Sequence, residues 1–122
     1  MSKNPRIGPH EEIELELMRS NRKKIALFDF FPPEFEDPVK FGEIKLKLEQ
    51  VDHKHLNKKL SVYIFFLPNE ELSADKLFTL IQIKFTKEEI DLELEREIGY
   101  LLGYERKDIE HYIKYISKKS NR

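Results

Sequence analysis

The spacing of apolar residues changes near Thr86, and this change constrains the fold more than any other feature of the sequence. Before Thr86, apolar residues alternate with polar ones or form short runs bounded by proline and glycine, which is typical of strands. After Thr86 they recur every three or four positions, as on one face of a helix. The sequence therefore predicts one α+β domain over 1–122, strand-rich at 12–85 and a helical hairpin at 86–118.

Five segments before Thr86 have the composition and spacing of strands: 12–18, 24–31, 43–51, 60–67 and 77–85. Residues 12–18 favour a strand by alternation, although a helix also fits because Ile13 and Leu17 are four residues apart. Turns or loops are expected between the segments, at 19–22, 32–42, 52–59 and from Pro68 onward. Short strands with such connections favour an antiparallel meander. We therefore expect an antiparallel sheet of four to five strands, with the C-terminal two-helix hairpin packed on one face.

Two helices joined by a tight turn are predicted after the sheet. Thr86 and Glu89 have the spacing of a capping box, which predicts a helix over 87–102 that begins with acidic residues. Gly103 stands where a left-handed residue commonly ends a helix. A second helix is predicted over 106–118, because the apolar residues there recur at helical spacing.

Residues 97–113 resemble the helix-turn-helix signature of DNA-binding proteins. The matching features are a small residue in the first helix, a Leu-Gly turn, and apolar positions six and ten residues beyond that glycine: Gly99, Leu102-Gly103, Ile109 and Ile113. The resemblance covers 17 of the 122 residues. It implies a DNA-binding regulator that places its second helix in a groove of the duplex.

The charges around the second helix favour a protein partner over DNA. The helix-turn-helix family offers Ser or Thr to the phosphates in the first turn, where this chain has Glu105 and Asp108. Residues 86–122 contain eight Lys and Arg against nine Asp and Glu, whereas a phosphate-binding surface needs positive charge. The hairpin is thus predicted to cover the sheet and to offer a protein partner a mixed-charge outer surface around Arg106, Lys107, His111 and Lys114, with Glu110 among them.

Asp29, Glu43 and Lys45 have the spacing of a metal-dependent nuclease site. One acid on a strand followed by Glu-x-Lys on the next resembles the restriction-type nuclease pattern, in which carboxylates hold a divalent cation and the lysine steadies the attacking water. Those folds place a helix before the first strand and another after the third, which this chain is not expected to have. The favoured alternative is a solvated cross-strand ion pair.

A metal site could be formed by Asp52, His53 and His55, because alternate residues of a strand point the same way. The stretch 52–59 is instead predicted to be an exposed basic loop, with no third ligand at a recognisable spacing. The chain has no cysteine and no Gly-rich phosphate loop. No metal, cofactor or catalytic residue is therefore predicted, and the sequence leans towards a non-enzymatic protein.

The segment Phe28–Asp37 is unusual, because it contains four phenylalanines, four acids and two prolines. Phe35 lies among charges beyond the double proline. Exposed there, it would suit a protein partner with a basic rim. The alternative is a loop that folds Phe35 back over the edge of the sheet.

Together these patterns predict a small non-enzymatic interaction or regulatory protein, of the inhibitor or adaptor type, that binds another macromolecule, in the first place a protein. A helix-turn-helix-like DNA-binding regulator is the alternative, and a divalent-metal nuclease is the less favoured third. A homo-oligomer is compatible with the sequence. Residues 1–10 are expected to be a loose leader and residues 119–122 a tail. Because the leader lacks an apolar run and no stretch approaches about 20 apolar residues, we expect a cytoplasmic protein without a membrane segment.

Overall fold

A computed structural model describes residues 13–53 and 57–120, so the expected leader at 1–10 lies outside the described residues. The α+β class is confirmed. Its elements, in chain order, are α1 Glu14–Arg19, β1 Ile25–Phe28, a 3-10 helix Pro33–Phe35, α2 Glu36–Lys40, β2 Lys45–His53, β3 Lys58–Phe66, α3 Glu71–Thr86, α4 Leu92–Leu101 and α5 Arg106–Ser120.

The described sheet has three antiparallel strands in the order β1-β3-β2. Phe66 of β3 pairs with Ile25 on one side and with Lys45 on the other. The segment 60–67 is apolar on both faces, and it occupies the central position that this pattern predicts. Three described strands match the expected four to five only roughly. The strand order is not that of a meander, because β3 lies between β1 and β2 and pairs with both.

Two segments predicted as strands are helices. Residues 14–18 of the first segment lie in α1, which buries Met18, and residues 77–85 belong to α3, which buries Leu77 and Ile81. Both segments satisfy the strand period and the helix period at once, since their apolar residues lie two and also four positions apart. The choice between the two periods was made by packing, because each helix lays one row of apolar side chains on the sheet.

The predicted loop at 32–42 is mostly helical. β1 ends at Phe28, earlier than the predicted strand 24–31, and Pro33 then opens the 3-10 helix that leads into α2. A proline fits there because the first turn of a helix leaves its N–H groups without partners. The short helical segment turns Phe35 towards the sheet, where it is fully buried.

The capping box predicted at Thr86 does not form. Thr86 is the last residue of α3, and its hydroxyl donates to the carbonyl of Ile83 at 2.7 Å. The next helix begins at Leu92 instead, where the side chain of Asp91 accepts from the backbone N–H of Leu94 at 3.1 Å. Thr86 and Asp91 each place an acceptor side chain before acidic residues. The local sequence therefore does not indicate which of the two caps the helix.

The turn between α4 and α5 lies where the sequence places it. Gly103 has a φ of +82°, the left-handed conformation expected at a helix end. Gly99 lets the two helices approach closely, because a Cβ added there would lie 3.0 Å from Cγ1 of Ile109. The helical hairpin therefore agrees roughly with the prediction, with a shorter first helix.

Helices cover both faces of the sheet rather than one. α3 and α4 pack on the face formed by Ile25, Ile64 and Phe66. α1 and α2 pack on the opposite face, where Met18 and Phe35 lie against Phe65. The sequence did not predict helices on this second face, because the residues of α1 and α2 were assigned to a strand and a loop.

Candidate functional site

A concave surface lies beyond the end of β1. β1 stops at Phe28, opposite Tyr63, whereas β3 begins at Lys58. Within the described residues, 58–62 therefore pair with β2 on one side and with no strand on the other; we call this stretch the open edge of β3. The chain bends away after Phe28, and the two prolines that follow cannot donate to a ladder. An open groove of about 920 Å³ runs beside this edge, and we call it the β3 groove.

The β3 groove has two apolar walls. Successive residues of a strand point to opposite faces, so Leu60 and Val62 lie on the side of α3 while Ser61 lies on the side of α2. The wall on the α3 side is formed by side chains of the larger core: Leu27, Leu60, Val62, Ile81, Phe85 and Tyr104. The wall on the other side is formed by Phe28, Phe30 and Pro32. An extended chain placed in the groove would meet apolar surface on both of its faces.

The rim of the β3 groove carries more acidic than basic groups. Asp29 and Glu34 line it, both are exposed, and neither forms an ion pair within residues 13–53 and 57–120. Lys59 also lines it, but its ammonium is 3.8 Å from Asp52 in an exposed pair that contributes little stability. The surface therefore favours an apolar ligand that carries positive charge.

A buried ion pair closes one end of the β3 groove. The ammonium of Lys23, whose side chain is 1% exposed, lies 3.2 Å from the carboxylate of Glu14. It also donates to the carbonyl of Leu102 and lies 4.7 Å from the ring centroid of Tyr104. Burial lowers the pKa of Lys23 and raises the pKa values of Glu14 and Tyr104, because each charged form is poorly solvated there. This network joins α1 and the start of β1 to the end of α4.

Sequence reasoning missed the Lys23 network. A lysine in a polar turn before a strand has no local signal that distinguishes it from an exposed one. Its partner carbonyl lies 79 residues further along the chain. Only the tertiary structure brings these groups together.

The four α5 residues predicted to face outward, Arg106, Lys107, His111 and Lys114, are all exposed. Lys107, His111 and Lys114 lie four and three positions apart and share one line along the helix with Lys118, which is also exposed. We call Lys107, His111, Lys114 and Lys118 the basic stripe. The carboxylate of Glu110, which the sequence places among them, instead accepts from Arg96 at 2.8 and 3.2 Å.

The expected mixed charge of the outer face of α5 is thereby corrected. The bond from Arg96 lowers the pKa of Glu110 and keeps its charge paired across the hairpin. Glu105, just before α5, also lies beside the basic stripe, and its carboxylate is 3.7 Å from the ammonium of Lys107 in an exposed pair. The outer surface is therefore more basic than the sum of charges over 86–122 indicates.

Phe35 is not an exposed anchor. It is 0% exposed and its ring centroid lies 4.5 Å from that of Phe65, so the expectation of an exposed Phe35 is wrong and the alternative, a segment folded back over the sheet, is observed. The most exposed phenylalanine of this segment is Phe30, which is 53% exposed and lines the β3 groove beside Asp29. The segment therefore does present an exposed phenylalanine beside an acidic residue, but this phenylalanine is Phe30 and not Phe35.

The three residues of the nuclease pattern do not meet. Lys45 is level with Ile25 across the sheet, four residues before Asp29, so Asp29 and Lys45 lie towards opposite ends. Glu43 accepts two hydrogen bonds from Arg19, at 2.8 and 3.0 Å. These positions give no shared place for a cation, and we do not propose this site.

The candidate metal ligands also lie apart from any cluster. Asp52 and His53 belong to β2 rather than to the predicted loop, and the ring of His53 lies 5.0 Å from that of Phe85. His55 lies outside the described residues. Within the part of the chain that is described, no group of three or more His, Cys, Asp or Glu side chains is arranged to hold a metal ion.

Comparison with known proteins finds no matching family model, curated protein or solved structure. Among residues 13–53 and 57–120, no helix has both the length and the apolar character required to cross a bilayer. Function therefore has to be inferred from the β3 groove and the outer face of α5.

Proposed function

We propose that this protein is a non-enzymatic binding protein of the adaptor or inhibitor type, and that the β3 groove holds an extended segment of a partner protein. The observation that carries the proposal is the coincidence of an open strand edge with an apolar groove along residues 58–62. A strand edge offers unpaired N–H and C=O groups, and a peptide that adds as a further strand satisfies them.

The shape of the groove indicates which peptides bind. A bound strand presents alternate side chains to the two walls. One row packs against Leu60 and Val62, where apolar residues are favoured. The other row passes Phe30 and reaches Asp29 and Glu34, where lysine or arginine is favoured. The partner segment is therefore extended, with apolar residues alternating with basic ones.

Peptides selected from a random display library against the purified chain are expected to show this alternating pattern. For a selected, fluorescently labelled peptide, the double variant Asp29→Lys with Glu34→Lys is expected to raise the dissociation constant roughly tenfold, because two rim ion pairs of up to about 1 kcal/mol each are lost. Fluorescence anisotropy measures the constant, and added salt is expected to weaken binding of the unmodified chain but hardly that of the double variant.

The matched control is Glu97→Lys with Glu105→Lys, which makes the same charge change at exposed acids outside the groove. It is expected to leave the dissociation constant nearly unchanged. Equal weakening by both double variants would show that only the overall charge matters. Full affinity in a folded Leu60→Ser variant, or selected peptides without basic residues, would contradict binding in the β3 groove.

A second candidate surface is the basic stripe of α5, which fits an acidic partner. Duplex DNA is the acidic partner that the helix-turn-helix resemblance implies, and the pairing of Glu110 with Arg96 of α4 supports this candidate. The acids Glu88, Glu89 and Glu93 before and within the first turn of α4 oppose it, since the first helix of that motif crosses the phosphate backbone. We therefore rank it after the groove.

If the basic stripe binds DNA, a mobility shift with duplex DNA is expected at low salt. Lys107→Glu with Lys114→Glu is expected to reduce the dependence of log affinity on log salt by about two, as for two lost phosphate contacts. The control Lys58→Glu with Lys59→Glu makes an equal charge change on β3. Absence of any shift at low salt would remove DNA as the partner.

A further inference from the structure

The second open edge of the sheet belongs to β2. Among the described residues, all nine positions of β2 pair with β3 on one side and no strand lies on the other. Proteins ordinarily shorten, cover or bend such an edge, because it is a template for pairing with another chain. Leu48 stands between Lys47 and Glu49 in β2. It is 51% exposed, on the face of the sheet that α1 and α2 cover only in part.

The sequence of β2 is complementary to itself around Leu48. We infer that β2 pairs antiparallel with β2 of a second copy of this chain, with Leu48 facing Leu48 at a two-fold axis. In this register Lys47 faces Glu49 of the other copy on both sides of the axis. The result is a dimer with a continuous six-stranded sheet, three strands from each chain.

The charges select this register over its neighbours. Moving the axis one residue back sets Lys47 against Lys47, and moving it one residue forward sets Glu49 against Glu49. Like charges directly opposite one another destabilise a strand pair, whereas opposite charges stabilise it. Only the register centred on Leu48 brings the exposed leucines together and leaves no like charges facing each other at the axis.

The dimer would bury groups that the single chain leaves in water. Each Leu48 side chain loses water contact against its counterpart, and the unpaired backbone groups of both edges gain partners. Lys47 already lies 3.8 Å from Glu49 within the chain and 3.3 Å from Asp75 of α3, so its ammonium is held beside the edge. The strand edge, the apolar side chain and the charge pattern thus point to the same partner.

A cysteine scan tests the register directly, because the chain contains no cysteine. In Leu48→Cys, the two sulfurs face each other across the axis, since facing Cα atoms of antiparallel strands lie about 4.5–5.5 Å apart, within the range of a disulfide. Mild oxidation is expected to give a covalent dimer. Gln50→Cys lies on the same face of β2, but its own counterpart is about 13 Å away, so it is expected to stay monomeric. Equal cross-linking of both variants, or none of Leu48→Cys, would overturn the inference.

Charge reversal tests the pairing without a covalent bond. The unmodified chain is expected to sediment as a dimer, and Glu49→Lys or Lys47→Glu alone is expected to raise the dimer dissociation constant at least about tenfold, because two cross-strand pairs become repulsive. A mixture of the two variants restores opposite charges at both positions and is expected to form a heterodimer. Circular dichroism checks that each variant is folded. A monomeric unmodified chain at every concentration, or dimers that withstand both reversals, would refute the dimer.

Dimerisation through β2 is independent of the proposed function, because the β3 groove lies at the opposite edge of the sheet. A variant that no longer dimerises can therefore still be tested for peptide binding, and a variant that no longer binds peptide can still be tested for dimerisation. A dimer carries two grooves at the two outer edges of one sheet. It would bind a partner with two suitable segments more tightly than a single groove does.

Discussion

Phe35→Ala is expected to lower the free energy of unfolding by about 3–5 kcal/mol, since it removes a fully buried ring from the core and leaves a cavity. The ring of Phe35 packs 4.5 Å from that of Phe65 and 5.6 Å from that of Phe28, measured between centroids. The loss is therefore expected near the upper end for a single substitution in a domain of this size.

Urea unfolding followed by circular dichroism measures this loss. The matched control is Phe41→Ala, which makes the same change in the turn that follows α2, where the side chain is 76% exposed. The control is expected to change the free energy of unfolding by less than about 0.5 kcal/mol. If Phe35→Ala behaved like Phe41→Ala, then Phe35 would be exposed in solution, which is one of the two possibilities that its sequence context left open.

Lys23→Met is expected to cost about 3 kcal/mol at neutral pH, because it keeps the volume of the side chain but removes the charge that faces the buried carboxylate of Glu14. It also takes a donor from the carbonyl of Leu102 at the end of α4. Lys24→Met is the control at the next residue, where the side chain is exposed and its ammonium lies 3.8 Å from Glu70. That change is expected to cost less than about 1 kcal/mol. Equal costs would show that the Lys23 pair is not buried in solution.

The cost of Lys23→Met is expected to depend on pH. Burial raises the pKa of Glu14 above its ordinary value of 4.5, and without Lys23 the attraction that opposes this rise is lost. Between 4.5 and the raised pKa, the folded state holds more protons than the unfolded state, so this carboxyl favours folding increasingly as the pH falls through that window. The difference between variant and unmodified chain is therefore expected to shrink from about pH 7 to about pH 5. The same comparison can be made between two chains that both carry Glu14→Gln, with and without Lys23→Met. The pH dependence that this carboxyl contributes to the difference in unfolding free energy is then expected to disappear.

Local sequence rules predicted the features that depend on neighbouring residues. The apolar run at 60–67 predicted a central strand, and β3 does lie between β1 and β2 in the sheet. Gly103 predicted a left-handed turn, since glycine adopts a positive φ at no steric cost. The apolar spacing over 106–118 predicted α5, which buries Ile109 and Ile113. These results follow from backbone geometry and periodicity within a few residues.

The sequence predicted part of the candidate site. The composition of Phe28–Asp37 indicated a surface of aromatic and acidic residues, and Asp29, Phe30 and Glu34 do line the β3 groove. The sequence chose the wrong anchor, because composition does not tell which phenylalanine of a cluster turns inward. It also counted Glu110 as an outward charge, whereas Arg96 of the neighbouring helix holds it. In both cases the orientation of the side chain depends on a contact with another element, with Phe65 for Phe35 and with Arg96 for Glu110.

Local sequence is sufficient to specify the α+β class, the central strand, the Gly103 turn and the last helix, because these depend on side-chain period and on the conformational limits of single residues. Long-range packing makes helices of residues 14–18 and 77–85, since the apolar residues of both segments suit both periods and the sheet selects one. It also decided the strand order, which left open edges on β2 and on residues 58–62 of β3 within the described chain. Those edges depend on which strands meet, and such long-range pairing has no signature within any single segment.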